Sequence, residues 1–163
     1  MSILLERLRI YQDNRGMMAN LRCILVESKK HRAWPVLHRL GVSVGDDTAA
    51  FVAGLFATHP ETTGQGNFGA TCKAIELRRG EKSGDDSKLT ATERRFQHLL
   101  AASRKEEAFE RVKRMVVMAK AQGIPINYAV LLPDLRYWGD RIKADWATAF
   151  WAPESENSNE EEV

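Results

Sequence analysis

Residues 103–123 read SRKEEAFERVKRMVVMAKAQG, and the spacing of their apolar side chains decides the fold class. Apolar side chains recur here every three or four positions, which is the period of one face of an α-helix. They are Phe109, Val112, Met115, Val116 and Ala119. Ser103, followed three residues later by Glu106, predicts a capping box at the start of this helix, and Gly123 predicts its end. The stretch is the longest predicted helix of the chain.

Helical spacing continues on both sides of this stretch. Further helices are predicted at about residues 4–11, 17–25, 34–40, 46–58, 68–79, 90–100, 127–138 and 140–151. Thr90 with Glu93 forms another predicted capping box, and Pro133 is expected to kink or divide the helix that contains it. No stretch alternates with the period of a β-strand, so little or no sheet is expected.

A polar segment with two glycines interrupts the helical pattern at residues 80–88, which read GEKSGDDSK. Such a segment is typical of a linker. We therefore predict an all-α protein of two small helical bundles joined by a short polar linker. The N-terminal helical lobe is placed at residues 1–80, the linker at 81–89 and the C-terminal helical bundle at 90–152. Residues 153–163 are acidic and poor in apolar side chains, which predicts a disordered tail.

The net charge of +2 on these 163 residues hides an asymmetry. Five of the 22 acidic residues lie among the last ten positions, where no basic residue occurs, so the remainder carries 24 basic against 17 acidic side chains. This excess of +7 favours binding to a polyanion. No apolar run is long enough for a transmembrane helix, and charge comes too early at the N-terminus for a secretory signal. Cys23 and Cys72 lie in apolar helical patterns, which predicts reduced core thiols in a cytoplasmic protein.

Signatures of catalysis are missing from the sequence. Gly64, Gly66 and Gly69 match the dinucleotide pattern GxGxxG, but they follow a helix and a loop instead of a strand. They predict a flexible loop, although a helix N-terminus after such a loop can hold a phosphate, with Lys73 one turn further on. The four histidines have no metal-ligand spacing and suggest no nucleophile with its base. We predict no enzymatic activity, no cofactor and no metal site; a helical nuclease whose site assembles in space stays an alternative.

Basic side chains cluster at several places between the apolar helices. The candidates for nucleic-acid contacts are Lys29, Lys30, Arg32, Lys73, Arg78, Arg79, Arg94, Arg95, Arg104, Lys113, Arg114, Lys120, Arg136 and Arg141. One basic pair alone is more often a solvated helix face, but several clusters together favour a surface that follows phosphates. Glu107–Arg111 and Glu110–Arg114 have the spacing of ion pairs within a helix, which would neutralise those arginines, whereas Lys120 has no acid one turn away.

Aromatic residues are concentrated near the end of the helical region, at Tyr137, Trp138, Trp146, Phe150 and Trp151. Exposed rings of this kind can stack on nucleic-acid bases. Their spacing fits the core of a helical bundle better, so we predict that these rings are buried.

Five ordered segments in the second half of the chain resemble one known family. They are RRFQHLLAA at residues 94–102, RVKRMV at 111–116, IPIN at 124–127, LLPDLRYW at 131–138 and WATAFW at 146–151. In order and spacing they resemble the CasB-type small subunit of the type I-E CRISPR Cascade complex. The upstream stretch GNFGA at residues 66–70, with Lys73 after it, is similar to a glycine-containing turn and helix of that family. The resemblance covers about residues 64–152, and Pro133 departs from it at a position where a non-proline, often basic, residue is expected.

The resemblance implies an all-α, non-catalytic protein of two small bundles, present as a pair of copies along a crRNA-guided complex. There such a subunit contacts the other Cascade subunits and helps to hold target DNA and the displaced strand of an R-loop in antiviral defence. The implied partners are single-stranded and duplex DNA, crRNA, the other subunits and a second copy of the chain, with no membrane. From the matching segments, Arg94, Arg95, Lys113 and Arg114 are carried over as phosphate contacts, with a neighbouring helix or subunit as the alternative partner of Arg94 and Arg95.

Guide pairing reads the target in such a complex, so this subunit needs only contacts that tolerate any sequence. No recognition-helix motif is present, and we expect weak or no sequence preference. Two other functions stay open. One is a purely structural helical adaptor whose basic patches meet acidic protein surfaces, and the other is a stand-alone DNA-binding protein without sequence specificity.

Overall fold

The computed structural model describes residues 3–81 and 88–152, and within them the chain is helical. Nine α-helices occupy these described residues: α1 Ile3–Ile10, α2 Arg15–Arg22, α3 Trp34–Arg39, α4 Asp47–Thr58, α5 Phe68–Arg78, α6 Ala91–Leu100, α7 Lys105–Gln122, α8 Tyr128–Arg136 and α9 Asp140–Phe150. Two 3₁₀ helices, Cys23–Leu25 and Glu27–Arg32, lie between α2 and α3. An isolated bridge between Thr62 and Ile126 is the one β-type pairing in the described part of the chain. The all-α prediction is confirmed.

Side-chain caps explain where several helices begin. The capping box at α6 is confirmed, because the Thr90 hydroxyl accepts from the Glu93 amide at 3.0 Å and the Glu93 carboxylate accepts from the Thr90 amide at 3.0 Å. The capping box predicted for α7 is wrong. Its N-cap is Arg104, whose extended backbone has no side-chain cap, so α7 begins one residue later than a Ser103 cap requires. Gly123 ends α7 as predicted, with a left-handed φ of 68° that favours glycine.

Helix α8 contains Pro133 and is still continuous from Tyr128 to Arg136. Proline lacks the amide that would bond to the carbonyl four residues earlier, so α8 loses one internal hydrogen bond at this point. The predicted division of the helix does not occur. Asn127 is the N-cap residue as expected, but its side chain makes no cap and instead donates to the Gly66 carbonyl at 2.8 Å.

One hydrophobic core runs through the described residues. Helix α4 is buried along almost its whole length and packs against α2, α8, α7 and α1. Helix α5 packs most extensively against α9, and also against α7 and α6. The division into two lobes stays a prediction, and α5, assigned by sequence to the first lobe, has its main neighbours in the second. The predicted linker falls mostly, and the predicted acidic tail wholly, outside the described residues.

Gly69 sits where α5 crosses α9. A Cβ added at this buried glycine would overlap the Trp146 backbone, 2.7 Å from its carbonyl carbon and 2.8 Å from its Cα. Only a residue without a side chain allows the two helices this approach. The last glycine of the GxGxxG match is therefore a helix-packing position.

The aromatic residues divide between core and surface. Trp146 and Phe150 are fully buried, and the Phe150 ring stacks on Phe96 with centroids 4.4 Å apart. Trp151 is 42% exposed at the end of α9, and Tyr137 is 73% exposed. The prediction of burial is therefore wrong for Tyr137 and for Trp151, because they follow the last turns of α8 and α9 and their rings reach solvent. Both cysteines are free, and Cys72 is a buried core thiol as expected, whereas Cys23 is only partly buried, so the core prediction is wrong for it.

Candidate nucleic-acid interface

An arginine-lined groove lies between α6 and α7. Its basic lining consists of Arg79, Arg94, Arg95, His98, Arg111 and Arg114. Ala91, Met115 and Met118 supply the apolar part of the lining, and the volume is about 490 Å³. We call this groove the arginine cleft. It brings together four of the sequence-predicted contacts, Arg79, Arg94, Arg95 and Arg114.

Helical periodicity aligns the two walls of the arginine cleft. On α6, positions 91, 94, 95 and 98 share one face, while Phe96 and Leu99 point into the core. On α7, positions 111, 114, 115 and 118 form the facing stripe, next to the buried stripe that holds Val112 and Val116. The core-facing stripes therefore place the arginines of both helices on the same groove.

Three arginines of the cleft are available to a ligand. Arg94, Arg95 and Arg114 are exposed, and within the described residues none of their side chains has a hydrogen-bond or ion-pair partner. No carboxylate belongs to the lining that residues 3–81 and 88–152 supply. Several guanidinium groups that face one groove without acids repel one another, and this repulsion is relieved when a polyanion enters.

The remaining arginines of the cleft are held by the protein. The Arg111 guanidinium donates to the His98 carbonyl at 2.6 Å and to Glu107 at 3.4 Å, which ties α7 to α6. Arg79 pairs with Glu81 at 3.5 Å. The sequence predicted that an ion pair with Glu107 neutralises Arg111, and Arg111 was therefore not among the predicted contacts. The ion pair exists, yet Arg111 still lines the cleft, and its spacing of three residues from Arg114 was the available signal.

The predicted pair Glu110–Arg114 does not form. Glu110 instead pairs with Lys113 at 3.5 Å, which leaves Arg114 in the cleft. The Lys113 ammonium also donates to the Leu25 carbonyl at 3.4 Å. Neighbouring residues on a helix point about 100° apart, so Lys113 and Arg114 lie on different flanks of α7. Exposed Lys120 follows Lys113 by seven residues and shares its flank, away from the arginine cleft.

Several other predicted contacts are engaged within the fold. Lys73 pairs with the buried carboxylate of Glu76 at 3.0 Å and lies over the Phe150 ring. Arg104 pairs with Glu107 at 3.1 Å. The first turn of α5 is capped by Asn67, whose side-chain oxygen accepts from the Ala70 amide, so the phosphate hypothesis for the preceding loop gains no support.

Arg136 joins α8 to the start of α4. Its guanidinium donates to both oxygens of Asp46, at 3.2 and 3.3 Å. Partial burial opposes ionisation of Asp46, but the hydrogen bonds from Arg136 and from the Ala49 amide outweigh it and hold the pKa of this carboxyl below its usual value. The pair positions two helices and is not free to meet phosphate.

The N-terminal candidates occupy the 3₁₀ helix Glu27–Arg32, separately from the cleft. Lys30 pairs with Glu27 at 2.8 Å, and the hydrogen bond that the ammonium donates to this carboxylate raises the pKa of the lysine. Lys29 and Arg32 are exposed. Arg78, at the end of α5, and Arg141, in the first turn of α9, are exposed as well and lie outside the arginine cleft.

Residues 3–81 and 88–152 contain no metal cluster and no membrane-spanning helix. No group of three or more histidine, cysteine, aspartate or glutamate side chains there could hold a metal ion. None of the helices described combines the length and the apolar character that crossing a membrane requires.

Fold and cleft together define a class: small all-α proteins that present an arginine-lined groove. The family model described as "CRISPR-associated protein Cse2" matches residues 17–151. The chain therefore belongs to the Cse2 family, the CasB-type small subunits of the CRISPR Cascade complex.

Solved structures agree with this assignment. CasB from Thermus thermophilus superposes with a TM-score of 0.71 at 21% identity, covering 92% of this chain and 96% of that one. A second structure from Thermus thermophilus, of a CRISPR-associated protein of the Cse2 family, gives a TM-score of 0.72 at 21% identity, with the same coverage. CasB from M. ruber gives 0.69 at 21% identity, covering 97% of both chains. These likenesses establish the shared fold. A search of curated proteins finds no match.

Proposed function

We propose that this chain is a non-catalytic, nucleic-acid-binding subunit of Cascade that stabilises the R-loop in antiviral defence in the cytoplasm. The arginine cleft would bind the sugar-phosphate backbone of the target strand or the displaced strand. The observation that carries this proposal is that Arg94, Arg95 and Arg114 converge on one groove with no partner among the described residues.

Physical chemistry supports a backbone contact without base reading. Arginine forks match phosphate oxygens, and contacts to the backbone carry no sequence information. Guide pairing supplies the sequence reading in an RNA-guided complex. R-loop formation is nearly balanced in free energy, so a few contacts to one strand are enough to shift it towards the open state. Weak or absent sequence preference follows from this role.

The proposal includes partners beyond DNA. The other Cascade subunits, crRNA and a second copy of the chain are expected neighbours, as the family assignment suggests. A purely structural adaptor is the second candidate, because the same three unpaired arginines would also fit an acidic protein surface. The experiment must therefore separate a nucleic-acid ligand from a protein ligand.

The test measures binding of labelled single-stranded DNA of unrelated sequences across a salt series. The cleft variant is Arg95→Glu/Arg114→Glu. The matched control is Arg15→Glu/Arg39→Glu, which makes the same charge change at exposed residues outside the cleft. The logarithm of the binding constant falls linearly with the logarithm of the salt concentration, and each lost phosphate contact makes this slope shallower by about 0.7. The slope of the cleft variant, which loses two arginines, should therefore be shallower by about 1.4 than that of the wild type. The control should keep the slope of the wild type.

Two results decide between the candidates. A cleft variant that binds DNA less tightly than the control, and destabilises the R-loop in reconstituted Cascade, supports the proposal. Equal binding by both variants would refute it. If the cleft variant binds DNA normally and only fails to join the complex, the chain is a structural adaptor.

A further inference from the structure

A second cleft opens where α8 meets α9, outside the arginine cleft. Its volume is about 410 Å³, within the range of pockets that hold small ligands. Its lining consists of Pro133, Asp134, Tyr137, Arg141 and Ile142. We call it the Tyr137 pocket. Three of these side chains offer different chemistry: a flat ring, a hydrogen-bond acceptor and a cation.

The Tyr137 ring is presented to solvent. It is 73% exposed, and within the described residues it has no hydrogen bond and no ring contact. Tyr137 follows Asp134 by three residues and Pro133 by four, so the three side chains lie on one face at the end of α8. Pro133 and Tyr137 thus form an apolar surface against which a flat group can lie.

Asp134 is oriented by the core. The Trp146 indole donates to its Oδ2 at 2.8 Å, while its Oδ1 has no partner among the described residues. Burial raises the pKa of Asp134, although the indole hydrogen bond opposes this shift. A half-buried carboxylate oxygen without a partner is a strong acceptor for an N–H group that enters the pocket.

Arg141 supplies the positive charge of the Tyr137 pocket. It lies in the first turn of α9, where the helix dipole disfavours a cation, and residues 3–81 and 88–152 offer it no ion-pair partner. Its charge is close enough to Asp134 to act on the pKa of that carboxyl. An anionic group beside the pocket would therefore meet an exposed guanidinium that forms no ion pair within the described residues.

We propose that the Tyr137 pocket holds one unstacked nucleobase of a bound single strand. The base face would lie on Tyr137, an amino group of the base would donate to Asp134 Oδ1, and Arg141 would contact the adjoining phosphate. The inference rests on the proposed function and extends it, because it adds a base contact to the backbone contacts of the arginine cleft. Cytosine, adenine and guanine carry such an exocyclic amino group, whereas thymine offers only its ring N3–H as a donor, so a contact made through the amino group disfavours thymine.

The experiment measures how tightly oligo(dC) and oligo(dT), each about 20 nucleotides long, bind to the full chain and to reconstituted Cascade. Tyr137→Ala should weaken oligo(dC) binding about fivefold or more, whereas Tyr137→Phe keeps the ring and should bind as the wild type does. Asp134→Asn keeps an acceptor for Trp146 but turns an amide donor towards the base, so the preference for dC over dT should disappear. The salt slope should change little in all three variants.

The outcomes separate this inference from the proposed function. If Tyr137→Ala and Asp134→Asn bind both oligonucleotides as the wild type does, while Arg95→Glu/Arg114→Glu weakens binding, the pocket proposal is overturned and the proposed function stands. Loss of Cascade assembly with unchanged DNA binding in Tyr137→Ala also overturns it and assigns the pocket to a protein partner. Failure of the wild type to bind either oligonucleotide, alone or in Cascade, overturns both.

Discussion

Replacing Gly69 by alanine should destabilise this protein, although glycine is a poor helix former. In an exposed helix interior, the change from glycine to alanine stabilises by about 0.5–1 kcal/mol. At Gly69 the new Cβ would overlap the carbonyl group of Trp146, which belongs to the hydrogen-bonded backbone of α9. Backbone atoms cannot move aside as a flexible side chain does, so α5 and α9 must separate. Overpacking of this kind costs about 1–3 kcal/mol.

Chemical and thermal unfolding followed by circular dichroism at 222 nm would measure this effect. For a chain of this size, each kcal/mol shifts the Tm by about 2–4 °C, so a cost of about 1–3 kcal/mol lowers the Tm by about 2–12 °C. Gly64→Ala is the matched control within the same motif, because no atom lies within 4 Å of its added Cβ and its φ is not positive. Gly64→Ala should stay within about 0.5 kcal/mol of the wild type. A Gly69→Ala protein as stable as the wild type would refute the packing argument.

Three further predictions concern caps, a buried carboxylate and a buried thiol. Asp46→Ala should cost about 1–2 kcal/mol at neutral pH, because Asp46 caps α4 and pairs with Arg136. Folding lowers the pKa of Asp46, so this stabilisation is complete above the unfolded-state pKa and disappears as the pH falls below about 4. Urea unfolding measures the difference in the free energy of unfolding between the wild type and Asp46→Ala. The same difference at pH 3 and at pH 7 would contradict the prediction. Thr90→Ala should lower the free energy of unfolding by about 2–3 kcal/mol, which is more than the loss of a helix cap alone. The reason is that the Thr90 hydroxyl also donates to the buried Glu76 carboxylate at 2.7 Å. Thr90→Ser keeps the hydroxyl and should be close to neutral in the same assay. Cys72 should react with a disulfide reagent only after denaturation, because its thiol is fully buried and burial raises its pKa; rapid modification of both cysteines in the folded protein would contradict this.

Local patterns predicted the helices well because most of their signals act within a few residues. The apolar stripe of α7 and its glycine stop, and the Thr90–Glu93 box of α6, depend on neighbours one turn away. The predicted Ser103–Glu106 box failed although the pattern is correct, because α7 begins one residue later. A sequence motif indicates which residues are able to cap a helix, and the packing of the helix decides which residue becomes the N-cap.

The candidate site was only partly accessible from the sequence. Clusters of basic residues indicated a polyanion ligand, and Arg79, Arg94, Arg95 and Arg114 do line one groove. Lys113 stood beside Arg114 in the sequence and in the prediction, yet the two residues lie on different flanks of α7. Which partner each cation meets depends on elements distant in the chain, and Leu25 next to Lys113 is such a case.

By itself, the sequence determined the all-α class, most helix limits, the excess of basic charge and the resemblance to CasB-type subunits. These properties depend on composition and on contacts within a few residues of each other. Only the tertiary structure separated the exposed arginines of one groove from cations such as Arg136 that hold helices together. Only the tertiary structure also turned Tyr137 outward and placed Gly69 against Trp146, because contacts between distant helices are set by how their apolar faces pack.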